Sequence, residues 1–214
     1  MSAATRTTTG TRGIARAAVQ AELAHVAFDL FRRQGFDKVT VDDLAAAAGV
    51  SRSTFLRYFR SKEEAVLGAF DAQGEKLAAA LRARPAAEND WTALRRALDT
   101  ALEPYRQDPE HSLALLSLVA STSALCARRL EKQDSWRTLL AQALADRTGD
   151  TRPATLAESV RAAAALDCLN IALEHWSTDG ATTDLDALVD QAFTVLTAPA
   201  DTTRQPHDER PRPA

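Results

Sequence analysis

Residues 40–59 read TVDDLAAAAGVSRSTFLRYF, and the side chains suited to chemistry crowd the second half of that stretch. Arg52, Ser53 and Thr54 come first, short or cationic groups able to reach the edges of bases. An arginine guanidinium pairs with the acceptors of guanine, and a serine or threonine hydroxyl with either base type. Arg57 and Tyr58 follow, with base edges or phosphates in reach. Thr40 and Lys62 fall at expected helix N-termini. There, unpaired backbone N–H groups and the helix dipole favour a phosphate oxygen. Such contacts position a protein rather than specify a sequence. The patterns of catalysis are missing: no HExxH, no glycine-rich phosphate loop, no GxSxG. Cys126 and Cys168 have no histidine or cysteine at metal-ligand spacing. They read as buried, reduced thiols, a redox pair being the alternative. The expectation is recognition rather than catalysis, with no metal and no cofactor.

The elements that would position these side chains are two short helices around a tight turn. Thr40 caps the first, Val41 to Ala48, with Asp43 three residues on as a capping-box partner. Gly49 stops it, and Ser51 caps the second, Arg52 to Phe59, whose Phe55 and Phe59 face inward. This geometry sets two helices at a steep angle and offers the second to a major groove. An ordinary helix pair with a solvated arginine surface reads the same way. Upstream, Leu23, Val26, Ala27, Leu30 and Phe31 form one apolar stripe of a helix, ended by Gly35 with Phe36 folding back. The net charge of −3 is uneven: residues 1–62 carry +5 and the remainder −8. A basic first third suits a polyanion, although an ordinary fluctuation of surface charge would look similar.

The rest reads as helices in series, an all-α chain with no strand-like alternation and no internal repeat. Ser61, with Glu64, caps a long amphipathic helix to Arg84, and Pro85 breaks it. A helix is expected from about Asp90 to Gln107. An apolar segment follows Pro109, then helix from Cys126 to Arg147 with a break near Asp134. Ala154 to Trp176 is the next helix, and Thr183, with Asp186, caps a last one to Ala198. Residues 1–13 read as a flexible arm carrying Arg6 and Arg12, and residues 199–214 as a disordered tail. Apolar runs fall far short of a membrane span, and the N-terminus lacks an apolar leader. A cytoplasmic protein without membrane contact is expected.

The run of Ala27–Phe31, Gly35-Phe36, Thr40-Val41, Leu44-Ala45, Gly49-Val50-Ser51, Thr54-Phe55, Phe59 and Ser61-Lys62-Glu63-Glu64 resembles the N-terminal domain of the TetR family. The likeness covers about residues 15–70. It implies a three-helix DNA-binding domain over 14–62, with the helix-turn-helix at 40–59. A helical bundle for ligand binding and dimerisation over 63–198 would follow. Carried across residue by residue, Thr40, Ser51, Arg52, Ser53, Thr54, Arg57, Tyr58 and Lys62 become the DNA contacts. One departure is Leu56, where the family usually has an aromatic, most often tyrosine; that hydrogen bond is lost here, and Tyr58 is placed to compensate. The Thr-Phe-Leu-Arg-Tyr-Phe variant is similar to a subgroup of actinobacterial-type regulators, including those near mycofactocin-type genes.

The same resemblance implies a homodimer through the last two helices, with Leu166, Leu169, Leu173, Leu185, Leu188, Val189 and Phe193 facing the partner or the core. It also implies an effector pocket inside the C-terminal bundle. Trp91, Leu94, Leu98, Tyr105, Leu116 and Val119 are candidate lining residues. So are Leu125, Trp136, Leu140 and Trp176, with His111 and His175 as candidate polar anchors. The apolar bias points to a hydrophobic or aromatic small molecule. The implied function is a ligand-released repressor of double-stranded operator DNA. An activator, or a helical protein binding DNA without sequence preference, remains an alternative. Tilting of the helix from Ser61 to Arg84 would link pocket to recognition helix.

Overall fold

The computed structural model describes residues 4–149 and 152–197; the side chains of 4–12, 69 and 71 are not among those described. Among the described residues there are ten helices and no strand: α1 Ala4–Gln34, α2 Val41–Ala47, α3 Arg52–Tyr58, α4 Lys62–Arg82, α5 Asp90–Ala97, α6 Asp99–Gln107, α7 Pro109–Ser121, α8 Ser123–Arg147, α9 Leu156–Thr178 and α10 Leu185–Thr197.

Two apolar cores divide the molecule. The first joins α1, α2, α3 and the first turns of α4, through Leu23, Ala27, Phe31, Leu44, Phe55, Phe59 and Leu67. The second gathers Leu77 and Leu81 of α4 with Leu94, Leu98, Leu140, Leu144, Leu166 and Val189. Fully burying such a side chain contributes about 1.5–3 kcal/mol, so each core is a strong constraint on the helices that share it. Helix α4 is common to both. Its N-terminal half is therefore part of the N-terminal unit, although the sequence boundary falls at 62/63.

The turn between α2 and α3 follows from Gly49. Its φ of +66° lets Val50 N–H reach the Ala45 carbonyl at 2.9 Å and Gly49 N–H the Ala46 carbonyl at 3.1 Å. This left-handed cap satisfies two carbonyls that a helix end would leave open. Thr40 and Asp43 form the expected capping box, and the Thr40 hydroxyl holds the Asp43 carboxyl below its usual range.

Several boundaries differ from the sequence reading. Helix α1 begins at Ala4, so residues 4–13, expected as an arm, have helical backbone. Once a helix is nucleated on a buried stripe, adding turns costs little. Residues 1–3, the side chains of Arg6 and Arg12 and the tail 199–214 lie outside the described residues. The helix expected over 90–107 is two, broken after Ala97. Pro104 has no N–H for the Thr100 carbonyl, and Gln73 Nε2 of α4 donates to it instead at 3.0 Å. The break expected near Asp134 is absent, because Asp134 is an exposed residue paired with Arg137 along an unbroken α8. The chain turns instead at Thr122, in extended conformation, so that α7 and α8 meet at 104°. Asp184, not Thr183, caps α10, accepting from Asp186 N–H at 2.8 Å. The Asp186 carboxylate is taken by Arg95 and Arg106, which also bind Asp99 and lash α10 to α5 and α6.

Helix α9 starts at Leu156, after Thr155, in a second capping box completed by Glu158. The Arg152 guanidinium grips Glu158 with two hydrogen bonds of 2.8 and 2.9 Å and pulls its carboxyl from 4.5 down to about 2. A lowered carboxyl contributes stability that is full above its unfolded value and lost as pH falls through the folded value. Wild type should therefore lose stability more steeply between about pH 4.5 and pH 2 than Glu158→Gln. Near pH 7 that variant should be less stable by about 0.5–2 kcal/mol, the usual range for a damaged cap. Urea titrations at several pH values check both, and parallel pH profiles would contradict the assignment.

Candidate DNA-binding surface and effector cavity

Helix α3 buries Phe55 and half-buries Thr54, Leu56 and Tyr58, leaving Arg52, Ser53 and Arg57 exposed. Ser51 caps the helix through Thr54 N–H at 3.1 Å, and its hydroxyl also meets those of Ser53 (3.0 Å) and Thr54 (2.9 Å). Arg52 is held by Asp42 of α2 at 2.8 Å, an exposed pair that orients the guanidinium along the α2–α3 edge. Arg57 lies over the Tyr58 ring at 5.6 Å. The structure adds Arg16 of α1, which covers the other reach of that ring at 5.1 Å and donates to the Arg57 carbonyl at 3.2 Å. Arg16 had no local motif to mark it, being 41 positions from its partner.

Lys62 is the first residue of α4, the helix N-terminus at which the sequence places it, and its side chain turns inward. Its ammonium donates to the carbonyls of Phe36 (2.9 Å) and Val39 (3.3 Å) and sits 4.3 Å from the centre of the Phe36 ring. The side chain is thus committed inward, tying α4 to the α1–α2 loop, and only its backbone N–H faces the helix N-terminus.

Between α4, α6, α7, α8 and α9 lies a cavity of about 350 Å³. Five expected residues line it: Tyr105, His111, Leu116, Val119 and Trp136. The others do not. Leu94, Leu98 and Leu140 are filled-in core. Trp91 packs edge-on against Phe193, and Trp176 edge-on against Tyr105 from behind. Leu125 belongs to the DNA-domain core, and His175 is exposed. Unforeseen wall residues include Phe70 and Gln73 of α4, and Arg129, Gln133 and Asn170 of α8 and α9. Burial pushes the Tyr105 phenol up to about 12, so it is a neutral donor near pH 7. His111 touches the Phe28 ring of α1 at 4.5 Å, joining the cavity wall to the DNA-binding unit.

The expected dimer residues are also mostly inside. Leu166, Leu169, Leu173, Leu185, Val189 and Phe193 are buried within one chain, and Leu188 is half-buried. The face left open carries Leu156, Val160 and Ile171 of α9 and Val195 and Leu196 of α10. A groove of about 580 Å³ beside it is lined by Val160, Ala163 and Arg137.

A helix-turn-helix joined through a shared helix to a helical bundle with an internal cavity defines a DNA-binding regulator. Residues 23–67 match the family of bacterial regulatory proteins of the tetR type, and residues 88–201 match the MftR C-terminal domain. The transcriptional regulator MftR of Mycobacterium tuberculosis is 30% identical over 203 residues, spanning 90% of this chain and 96% of its own. The chain belongs to the TetR family of transcriptional regulators, which are not enzymes. The regulator TcmR of Streptomyces glaucescens is 35% identical over 134 residues, 60% of this chain; the match spans only 59% of TcmR. The fold is that of the transcriptional regulator FadR of Bacillus subtilis, solved with stearoyl-CoA, at TM-score 0.58 and 16% identity, covering 82% of this chain and 96% of that one.

Proposed function

We propose that this protein is a cytoplasmic, homodimeric repressor released from its operator by a small molecule. The observation that carries the reading is α4. Its first turns are core to the DNA-binding unit, while Phe70 and Gln73 further along wall the cavity. A ligand that favours one tilt of α4 shifts the spacing of the two recognition helices, which must fit successive major grooves. The shift is limited by the ligand's differential affinity for the two shapes. His111 against Phe28 offers a second mechanical link. The cavity is walled mainly by Phe70, Leu115, Leu116, Val119, Trp136 and Leu173, which suits an alkyl or aromatic body, as does the acyl-CoA held by the FadR fold relative.

On the DNA side, Ser53 and Arg57 face bases, while Ser51, Thr54 and the two helix N-termini, the one capped by Thr40 and the one that begins at Lys62, serve phosphates. Leu56, half-exposed between them, suits the methyl group of thymine. Arg52 and Tyr58 flank this surface, Tyr58 steadied by Arg16.

The test is fluorescence anisotropy on the DNA upstream of the protein's own gene, with a scrambled duplex beside it at two salt concentrations. Arg57→Ala should weaken operator binding by about 1–3 kcal/mol and leave scrambled binding nearly unchanged. Equal wild-type affinity for both duplexes would instead establish binding without sequence preference.

A further inference from the structure

The described part of the chain after residue 80 holds eleven arginines, and ten of them are ion-paired with a carboxylate. Arg129 is the exception among the described residues. It is also the one arginine in the wall of the 350 Å³ cavity. The residue is half-buried, and its guanidinium's neighbour is the neutral Asn170 amide, whose oxygen lies 3.5 Å away and also accepts from Gln133. The one carboxylate of that wall, Asp108, is occupied as the cap of α7, accepting from His111 N–H at 3.0 Å. A cation set in an apolar wall without its counter-charge interacts more strongly with an anion than it would in water.

We propose that the effector is an organic anion, a carboxylate on an apolar body, seated with its charged head on Arg129. The proposal rests on the reading of this cavity as the effector site. The guanidinium offers a fork of parallel N–H donors that matches a carboxylate, and Gln133 and Asn170 complete a polar corner where α8 meets α9. Phe70, Leu116 and Trp136 receive the body. A thioester would bring a neutral carbonyl to that corner and leave Arg129 unmatched.

Three ligands of one chain length separate the cases: decanoate, decanol and decanoyl-CoA. Binding is read by calorimetry and by the fluorescence of Trp136 in the wall. Decanoate should bind about 10- to 100-fold more tightly than decanol, the range for a charge-assisted hydrogen bond made out of water. Arg129→Met should erase that gap, lowering decanoate affinity about 10- to 100-fold and changing decanol affinity far less. Arg129→Lys, which keeps the charge without the fork, should restore part of the gap, so a folding defect in the methionine variant does not mimic the result. A gap that survives Arg129→Met overturns the proposal. So does a wild type that prefers decanol or decanoyl-CoA to decanoate, although the cavity then stands as the effector site. Failure of all three to bind removes the site reading itself, and the anion with it.

Discussion

Gly74→Ala is expected to lower the melting temperature by about 4–8 °C, a net loss of about 2 kcal/mol for a chain of this size. Alanine is ordinarily the better residue inside a helix, by about 1 kcal/mol. Here a Cβ at position 74 would meet Trp136 Cδ1 at 2.3 Å and Nε1 at 2.8 Å. That is well inside contact distance, and an indole is rigid. Its escape is limited on one side by Phe70, stacked at 5.9 Å and 11°. Either α4 moves off α8 or the ring turns into the cavity, and overpacking of this kind costs about 1–3 kcal/mol or more. The second response would also shrink the cavity. Gly68 is the internal control, since a Cβ there would meet the Phe59 ring at 3.7 Å and Glu64 Cγ at 3.9 Å, both ordinary contacts. Gly68→Ala should stabilise by about 0.5–1 kcal/mol, from the same helix. Adding Trp136→Leu to Gly74→Ala should give a double variant more stable than the sum of the two single losses. Strict additivity would mean that the glycine is not there for the indole.

The DNA-binding unit was legible in the sequence because its signals are local. The i, i+3, i+4 stripe around Leu23 to Phe31, the caps at Thr40 and Ser51, and Gly49 in its left-handed turn each lie within a few residues of what they fix. The cavity was only partly legible, for the opposite reason. Its polar corner joins Arg129, Gln133 and Asn170 across 37 and 41 positions, and no spacing rule connects them. Large aromatics were a poor guide to it. Trp91 and Trp176 fill core against other rings, whereas Trp136 reaches the wall because Gly74 lets it. The inward course of the Lys62 side chain was not legible, because its acceptors, the carbonyls of Phe36 and Val39, exist only once α1 and α2 have met. Periodicity could not separate core from dimer face. Helix α9 is apolar nearly all round, so Leu166, Leu169 and Leu173 look no different from Val160 and Ile171 until α5 and α8 have claimed one side.

That claimed side sets the second large expectation. Leu156 is 82% exposed, Val160 57%, Ile171 52% and Val195 74%, apolar residues on the open sides of α9 and α10, with Ala163, Ala164 and the exposed Asp167 between Val160 and Ile171. Single apolar residues scattered on a surface need no explanation, but three largely exposed ones on one face of a helix, Leu156, Val160 and Ile171, make that face a candidate interface. A second copy is the occupant we propose, because a self-complementary pair of helices is what a two-fold dimer requires and a palindromic operator then matches it. The double substitution Val160→Asp and Ile171→Asp should convert the protein to a monomer by analytical ultracentrifugation. Operator affinity should fall by about 100-fold or more, the loss expected when two linked half-site contacts become separate ones. Helical content and melting cooperativity should persist, because both side chains already face solvent in the single chain. A dimer that survives with unchanged affinity would place the interface elsewhere. Loss of operator binding by a protein that remains dimeric would mean that α9 reaches the DNA-binding unit by another route, with α8, packed against both α9 and α4, as the element to test next.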